Sequence, residues 1–312
     1  METVALGRTG LEVSVAGLGC GGHSRLGTAQ GKDENHAVRL VSHALQLGIN
    51  FIDTARAYRT ETAVGKAIQG HRGEVVISTK STAGRGQEML TPAELVESLE
   101  KSLKRLQTDY IDVFNLHGVT LDQYPRVVKD LLPVLKQQQA LGKIRFLGVT
   151  ETFGRDPSHK MLKVALPDDE FDVVMVGFNM LNPSARKSVF PLCIEHNVAT
   201  QIMFAVRRAL SQPDVLADVV DKLIADGEVE QALVETADPL GFLAANSEVR
   251  SVVQAAYRFC RHEPGATVVL TGTGSADHLE QNINAILADP LPRELTDKLE
   301  AIFGRVDSVS GN

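Results

Sequence analysis

The chain has 312 residues, 43% of them hydrophobic and 23% charged, which is apolar enough for a large buried core and excludes intrinsic disorder. A formal charge of −7 lacks the basic surplus that nucleic acid or an anionic membrane demands, so neither partner is expected. Cys20, Cys193 and Cys260 are too scattered for a disulfide framework or metal site, METVALGRTGLEV lacks a basic start and a long apolar run, and no apolar run reaches membrane-spanning length; a reducing cytoplasm and no metal are therefore expected.

The opening TVALGRTGLEVSVAG reads as a short hairpin turning at Thr9 and Gly10. Strand-like runs then follow in order: VAGLGC, NFIDTA, EVVISTK, YIDVFNLH, IRFLGVT, DVVMVGF, VATQIMFA and ATVVLTG. Between them lie segments of helical period, among them NHAVRLVSHALQLG, TPAELVESLEKSLKRLQ and YPRVVKDLLPVLKQQQALGK, the second with Thr91 as its N-cap and Pro92 at its first position. Eight strands alternating with helices predict a parallel (β/α)8 barrel over an open doubly wound sheet, with residues 1–312 as one domain. The glycines of GCGGHSRLG after the first strand do not have the GxGxxG spacing. The rhythm breaks over residues 206–246, read as an insertion after strand seven and expected on the C-terminal rim, where it can cover a ligand.

Residues at the C-terminal ends of barrel strands converge on one pocket. Asp53 follows strand two, Tyr58 stands in the next loop, Lys80 ends strand three and His117 ends strand four. Each has a plainer reading alone: a helix cap, a solvated lysine, a core histidine. Together they form a chemical set, because an ammonium near a phenol lowers the phenol's pKa and a carboxylate keeps that lysine charged. Tyr58 is thus expected to serve as a proton donor near neutral pH.

FIDTARAY, VISTK and DVFNLHG resemble the catalytic segments of the aldo-keto reductase superfamily, and LGRTGLEVSVAGLGCGG resembles its hairpin and first strand. The resemblance implies a (β/α)8 barrel and reversible hydride transfer between a nicotinamide cofactor and a small carbonyl or alcohol substrate. It gives Tyr58 the acid/base role, Lys80 and Asp53 the tuning of its pKa, and His117 the orientation of the carbonyl oxygen. A cofactor-binding regulatory subunit of the same fold is the alternative.

VVLTGTGSADHLEQNINA resembles the family's cofactor-phosphate segment, a strand, a small-residue turn and a helix from Ala276 or Asp277. Gly272, Thr273, Gly274 and Ser275 would face phosphate, and Gln281 and Asn282 the adenine. Relatives that require NADPH often carry a lysine and an arginine where this chain has Gly272 and His278, so NADP(H) is expected to be preferred with appreciable use of NAD(H). Gly21 and Gly22 are expected beside the cofactor or substrate. For the nicotinamide carboxamide, GVTETFG and VVMVGFN offer Thr150 and Glu151, with Met175 where glutamine is usual and Asn179 as an alternative contact. In MFAVRRALS, Met203 or Phe204 would cover the ring, and Arg207 and Arg208 would reach the pyrophosphate.

Overall fold

A computed structural model describes residues 1–86 and 88–312. The strands are β1 (Ala16–Gly19), β2 (Phe51–Asp53), β3 (Val76–Thr82), β4 (Ile111–Val119), β5 (Ile144–Glu151), β6 (Val173–Gly177), β7 (Ala199–Met203) and β8 (Val268–Thr271). They pair in parallel, each with the next, and β8 closes on β1 to complete the barrel. The hairpin is present as well: Thr3–Ala5 pairs antiparallel with Glu12–Ser14, and Gly10, at φ 71°, supplies the left-handed turn. Leu6 and Val13 of that hairpin pack with Phe51, Val76, Val113, Val173, Ala199 and Val268, all near the starts of barrel strands, so the hairpin plugs the N-terminal mouth. The opposite mouth is left for chemistry.

The surrounding helices that matter here are α1 (Glu34–Gln46), α2 (Glu61–Ala67), α3 (Pro92–Leu106), α4 (Leu132–Ala140), α5 (Lys160–Ala165), α6 (Phe190–Glu195), α7 (Pro213–Ala225), α8 (Val252–Arg261), α9 (Ala276–Ile286) and α10 (Arg293–Phe303). Thr91 closes a full capping box with Glu94 at the start of α3. The run YPRVVKDLLPVLKQQQALGK is not one regular helix: a turn at Tyr124–Arg126 widens into a π-helical stretch at Val127–Leu131 before α4. Pro133 has no amide hydrogen to continue the ladder, and the wider turn lies just ahead of it. No helix among the described residues is long and apolar enough to cross a membrane.

Residues 206–246 divide into two parts. Val206, Arg207, Arg208, Ser211 and Gln212 line the large cavity at the C-terminal mouth. The remainder turns away from it. Leu216, Val220 and Leu223 of α7, spaced to fall on one helical face, join Leu240 and Leu243 in the main core. Such side chains stabilise by about 1.5–3 kcal/mol each before the entropy of ordering the segment is subtracted. Asn246 donates to Glu294 at 3.1 Å, the Lys298 ammonium lies 4.2 Å from the Phe242 ring centroid, and Arg305 meets Glu230 at 2.8 Å. Parts of the expected rim cover, at Glu230, Phe242 and Asn246, therefore meet α10 and the residues after it instead of the cavity.

Candidate active site

Strand alternation sends Ser78 and Lys80 of β3 to one face, and Asn115 and His117 of β4 likewise. The upper barrel interior is consequently polar. Asn115 Nδ2 and Gln201 Nε2 donate to Ser78 Oγ at 2.9 and 3.2 Å, and Ser78 Oγ donates to Asp53 Oδ1 at 3.0 Å. Lys80 Nζ donates to the same Asp53 oxygen at 2.5 Å and to the Thr54 carbonyl at 2.9 Å. Gly148 makes room for this layer, since a Cβ there would stand 2.2 Å from Asn115 Oδ1. Ser78, Asn115 and Gln201 escape a reading confined to strand ends. Their signal is polarity at positions two residues before Lys80, His117 and Met203.

Tyr58 ends the 3-10 turn Arg56–Tyr58, and its hydroxyl lies 3.4 Å from His117 Nε2 with the rings edge to face. The Lys80 ammonium is 5.0 Å from the Tyr58 ring centroid. Burial works against the charge on Lys80, but Asp53 and Tyr58 outweigh it and hold the ammonium above lysine's usual range. Burial also raises the Asp53 carboxyl, against the pull of Lys80 and Ser78. The expectation for Tyr58 is corrected in sign. Burial raises its pKa by more than Lys80 lowers it, so the phenol keeps its proton through the neutral range. His117 is pulled from 6.5 to about 3 by burial and by Lys80, and is neutral.

His117 sits beside a β-bulge. Leu116 pairs with Val149 and Val119 with Glu151, leaving one extra residue in β4, and Gly118 accommodates it at φ 64°. Gly118 N donates to Thr150 Oγ1 at 2.7 Å. The assignment of Thr150 and Glu151 to the carboxamide is corrected accordingly, for neither lines the large cavity. Thr150 holds the bulge, while Glu151 accepts from Gly177 N at 2.7 Å and meets His159 Nδ1 at 2.9 Å, with both side chains fully buried. Asn179 is committed too, bonded to the Phe204 and Ser310 carbonyls and capping Leu181 and Asn182.

The large cavity, about 1730 Å³, has Gly21, Gly22, Asp53, Tyr58 and Met175 along its lining. Met203, Phe204 and Arg207 contribute from the end of β7, and Gly272, Thr273, Gly274 and Ser275 from the turn after β8. His278, Gln281 and Asn282 follow along α9. That helix begins at Ala276, capped by Ser275 Oγ accepting from His278 N at 3.4 Å. Asn282 donates to Thr271 Oγ1 at 2.9 Å, which itself lies 3.0 Å from Tyr257 OH. The turn is packed to backbone distance: a Cβ on Gly272 would lie 2.7 Å from Gly19 O, and one on Gly274 2.7 Å from Gly27 Cα. Lys32 and Arg250 also line this cavity, though they lie in no recognisable motif that would mark them in the sequence.

Arg207 stacks on Phe204 with its guanidinium carbon 3.9 Å from the ring centroid, and its buried Nε has no partner among the described residues. Behind it an aromatic column continues. Phe153 meets Phe204 edge to face at 5.5 Å, stacks on His159 at 5.4 Å and occupies the space that a side chain on Gly177 would need. A second cavity of about 860 Å³ shares Lys80 and His117 with this site.

Residues 18–303 match the aldo/keto reductase family, and the chain belongs to it: an oxidoreductase barrel acting on small carbonyl compounds and alcohols, in a family that uses nicotinamide cofactors. The chain is 27% identical to the oxidoreductase YqkF of Bacillus subtilis over 312 residues, covering 96% of each protein. It is 30% identical to the aldo-keto reductase YhdN of the same organism, over 90% of this chain and 87% of that one. The holo form of aldo-keto reductase AKR11C1 from Bacillus halodurans superposes with a TM-score of 0.73 at 25% identity, over 96% of this chain and 95% of that one.

Proposed function

We propose that the protein is a nicotinamide-dependent carbonyl reductase that uses Tyr58 as its general acid and base and prefers NADP(H). The observation that carries this reading is the Tyr58 hydroxyl 3.4 Å from His117 Nε2, with the Lys80–Asp53 ion pair beside it at the edge of the large cavity. A raised phenol pKa suits a donor, since the group must hold a proton before giving it. As Tyr58 gives that proton to the carbonyl oxygen, the Lys80 ammonium stabilises the phenolate left behind, and Asp53, held by Ser78, keeps Lys80 charged and in place. His117, neutral down to about pH 3, is no proton source here and instead positions the oxygen between itself and Tyr58. In the oxidative direction Tyr58 takes the proton back.

The residues present fit the cofactor. Arg207, with an unpartnered buried Nε, suits pyrophosphate, and the close-packed Gly272 and Gly274 bring backbone amides to the N-terminus of α9. When bound, the cofactor supplies the hydride. Met203 and Phe204 would give apolar cover for the nicotinamide, Met175 lines the cavity where a carboxamide-binding glutamine is usual, and Gln281 and Asn282 would face the adenine. The preference for NADP(H) rests on Ser275 and His278, reinforced by Lys32 and Arg250, which line the same cavity.

Benzaldehyde reduction followed by NADPH absorbance tests the acid. Tyr58→Phe should lower kcat by about 100-fold or more while leaving the NADPH Kd near its native value. A variant that reduces benzaldehyde at the native rate removes Tyr58 from this role. Fluorescence titration with NADPH and NADH tests the preference: a native ratio favouring NADH, or one that Arg250→Ala leaves unaltered, counts against it.

A further inference from the structure

We infer that the second cavity receives an anionic end of the substrate, so that the carbonyl compound served by this enzyme carries a carboxylate or phosphate group held by Arg56, Arg59 and Arg85. The inference rests on the reading that Tyr58 and His117 handle the carbonyl. Lys80 and His117 line this cavity, and Arg56 and Arg59 flank Tyr58 in the chain and line it too. Arg85 lines it from the short hairpin Gly84–Arg85 and Glu88–Met89 that follows β3.

The charge balance of the cavity runs against the composition of the protein. The chain carries −7 overall, yet Arg56, Arg59 and Arg85 line this space, and among the described residues none of the three makes an ion pair or a side-chain hydrogen bond. Several other arginines are matched with acids, as Arg8 is with Asp169 and Asp172, Arg72 and Arg145 with Asp112, Arg105 with Glu61, and Arg186 with Glu263. The acids lining the cavity are Glu88 and Glu94, the second accepting from Thr91 N and Oγ1 at 2.8 Å each, and against these two carboxylates the three arginines leave a formal surplus of one positive charge. Lys80 adds no free charge because Asp53 neutralises it.

Arg59 adds a local argument. It adopts the left-handed conformation at φ 61°, uncommon for a long side chain, and this turns the backbone directly after the Tyr58 turn. Guanidiniums present planar forked donors that match carboxylate and phosphate oxygens. An anion gripped beside the reacting carbonyl would orient it and raise its local concentration, which is selection by charge rather than by apolar shape.

Paired substrates test this directly: succinic semialdehyde against pentanal, and glycolaldehyde phosphate against glycolaldehyde. The native enzyme should favour the charged member of at least one pair in kcat/KM by about tenfold or more, and the pair that responds identifies carboxylate or phosphate. In the variant combining Arg56→Gln, Arg59→Gln and Arg85→Gln that ratio should fall to near one, and added salt should lower it in the native enzyme. A native ratio at or below one in both pairs, or a ratio unaltered in the triple variant, overturns the inference. Calorimetric titration of the NADP(+)-loaded protein with succinate and with inorganic phosphate reads the arginines without turnover. Binding of either that weakens about tenfold or more in the triple variant supports the anion site, whereas no native binding, or equal binding in both proteins, rejects it. The Tyr58 reading is judged separately on benzaldehyde: an enzyme that reduces benzaldehyde but none of the four aldehydes leaves that reading intact, one that reduces none of the five defeats it, and in either case the titrations decide the anion site.

Discussion

Gly21→Ala should disable the enzyme by moving Tyr58 rather than by unfolding the barrel. Gly21 is not among the residues of positive φ, so alanine meets no backbone obstacle there. Its Cβ, however, would stand 2.6, 2.7 and 2.9 Å from Cε2, Cζ and Cδ2 of the Tyr58 ring. Carbon contacts settle at about 3.5–4.0 Å, so the ring must retreat by about 1 Å. Displacement on that scale costs about 100-fold in rate, while overpacking costs about 1–3 kcal/mol of stability, less where a ring borders a cavity and can yield. Steady-state reduction of benzaldehyde, NADPH fluorescence titration and thermal melts separate the two effects. Because both substitutions act on one hydroxyl, Gly21→Ala added to Tyr58→Phe should cause little further loss of kcat. A folded Gly21→Ala enzyme with native kcat, or losses that multiply in the double variant, would refute this account.

His117 has a folded pKa of about 3 against 6.5, so between those values the unfolded chain binds a proton the native state does not, and stability falls as the solution is acidified through that window. His117→Gln should flatten the decline of Tm between about pH 6.5 and pH 4, and an identical decline in both proteins would contradict the assignment. Gly148→Ala forces a Cβ to within 2.2 Å of Asn115 Oδ1 and should cost about 1–3 kcal/mol in urea unfolding, partly recovered by adding Asn115→Ser. An unaffected midpoint would mean the polar layer is looser than described. His159→Phe strands the buried Glu151 carboxylate with Gly177 N as its donor and should cost about 3 kcal/mol or more, a loss that Glu151→Gln should lessen and that chemical denaturation would measure.

Strand positions were legible because each apolar run has strand length and ends in turn residues, and the start of α9 because a small-residue turn precedes it. The four polar residues at the ends of β2 to β4 could be singled out because a parallel barrel brings those ends together. The direction of the Tyr58 shift was not legible, since it depends on how far burial exceeds the influence of Lys80. Nor were Thr150 and Glu151. Their places at the end of β5 are plain, but the bulge at Gly118 that claims one hydroxyl and the histidine eight residues on that claims one carboxylate arise from packing across strands. Residues 206–246 break the pattern visibly, yet only the burial of Leu216, Val220 and Leu223 in the main core, with Phe242 and Asn246 reaching α10, shows that those of them beyond Gln212 do not line the mouth.

The column running from His159 through Phe153 and Phe204 to Arg207 bears on any effort to reshape this wall of the large cavity. A library that varies Phe204 alone explores a surface whose far side is already occupied, and a larger residue at Gly177 has room only where Phe153 has shrunk. These positions are best randomised as one block, with Gly177 and Phe153 encoded as a complementary pair. Natural lineages face the same rule, so a homologue with a side chain at the place of Gly177 should carry a smaller residue at the place of Phe153.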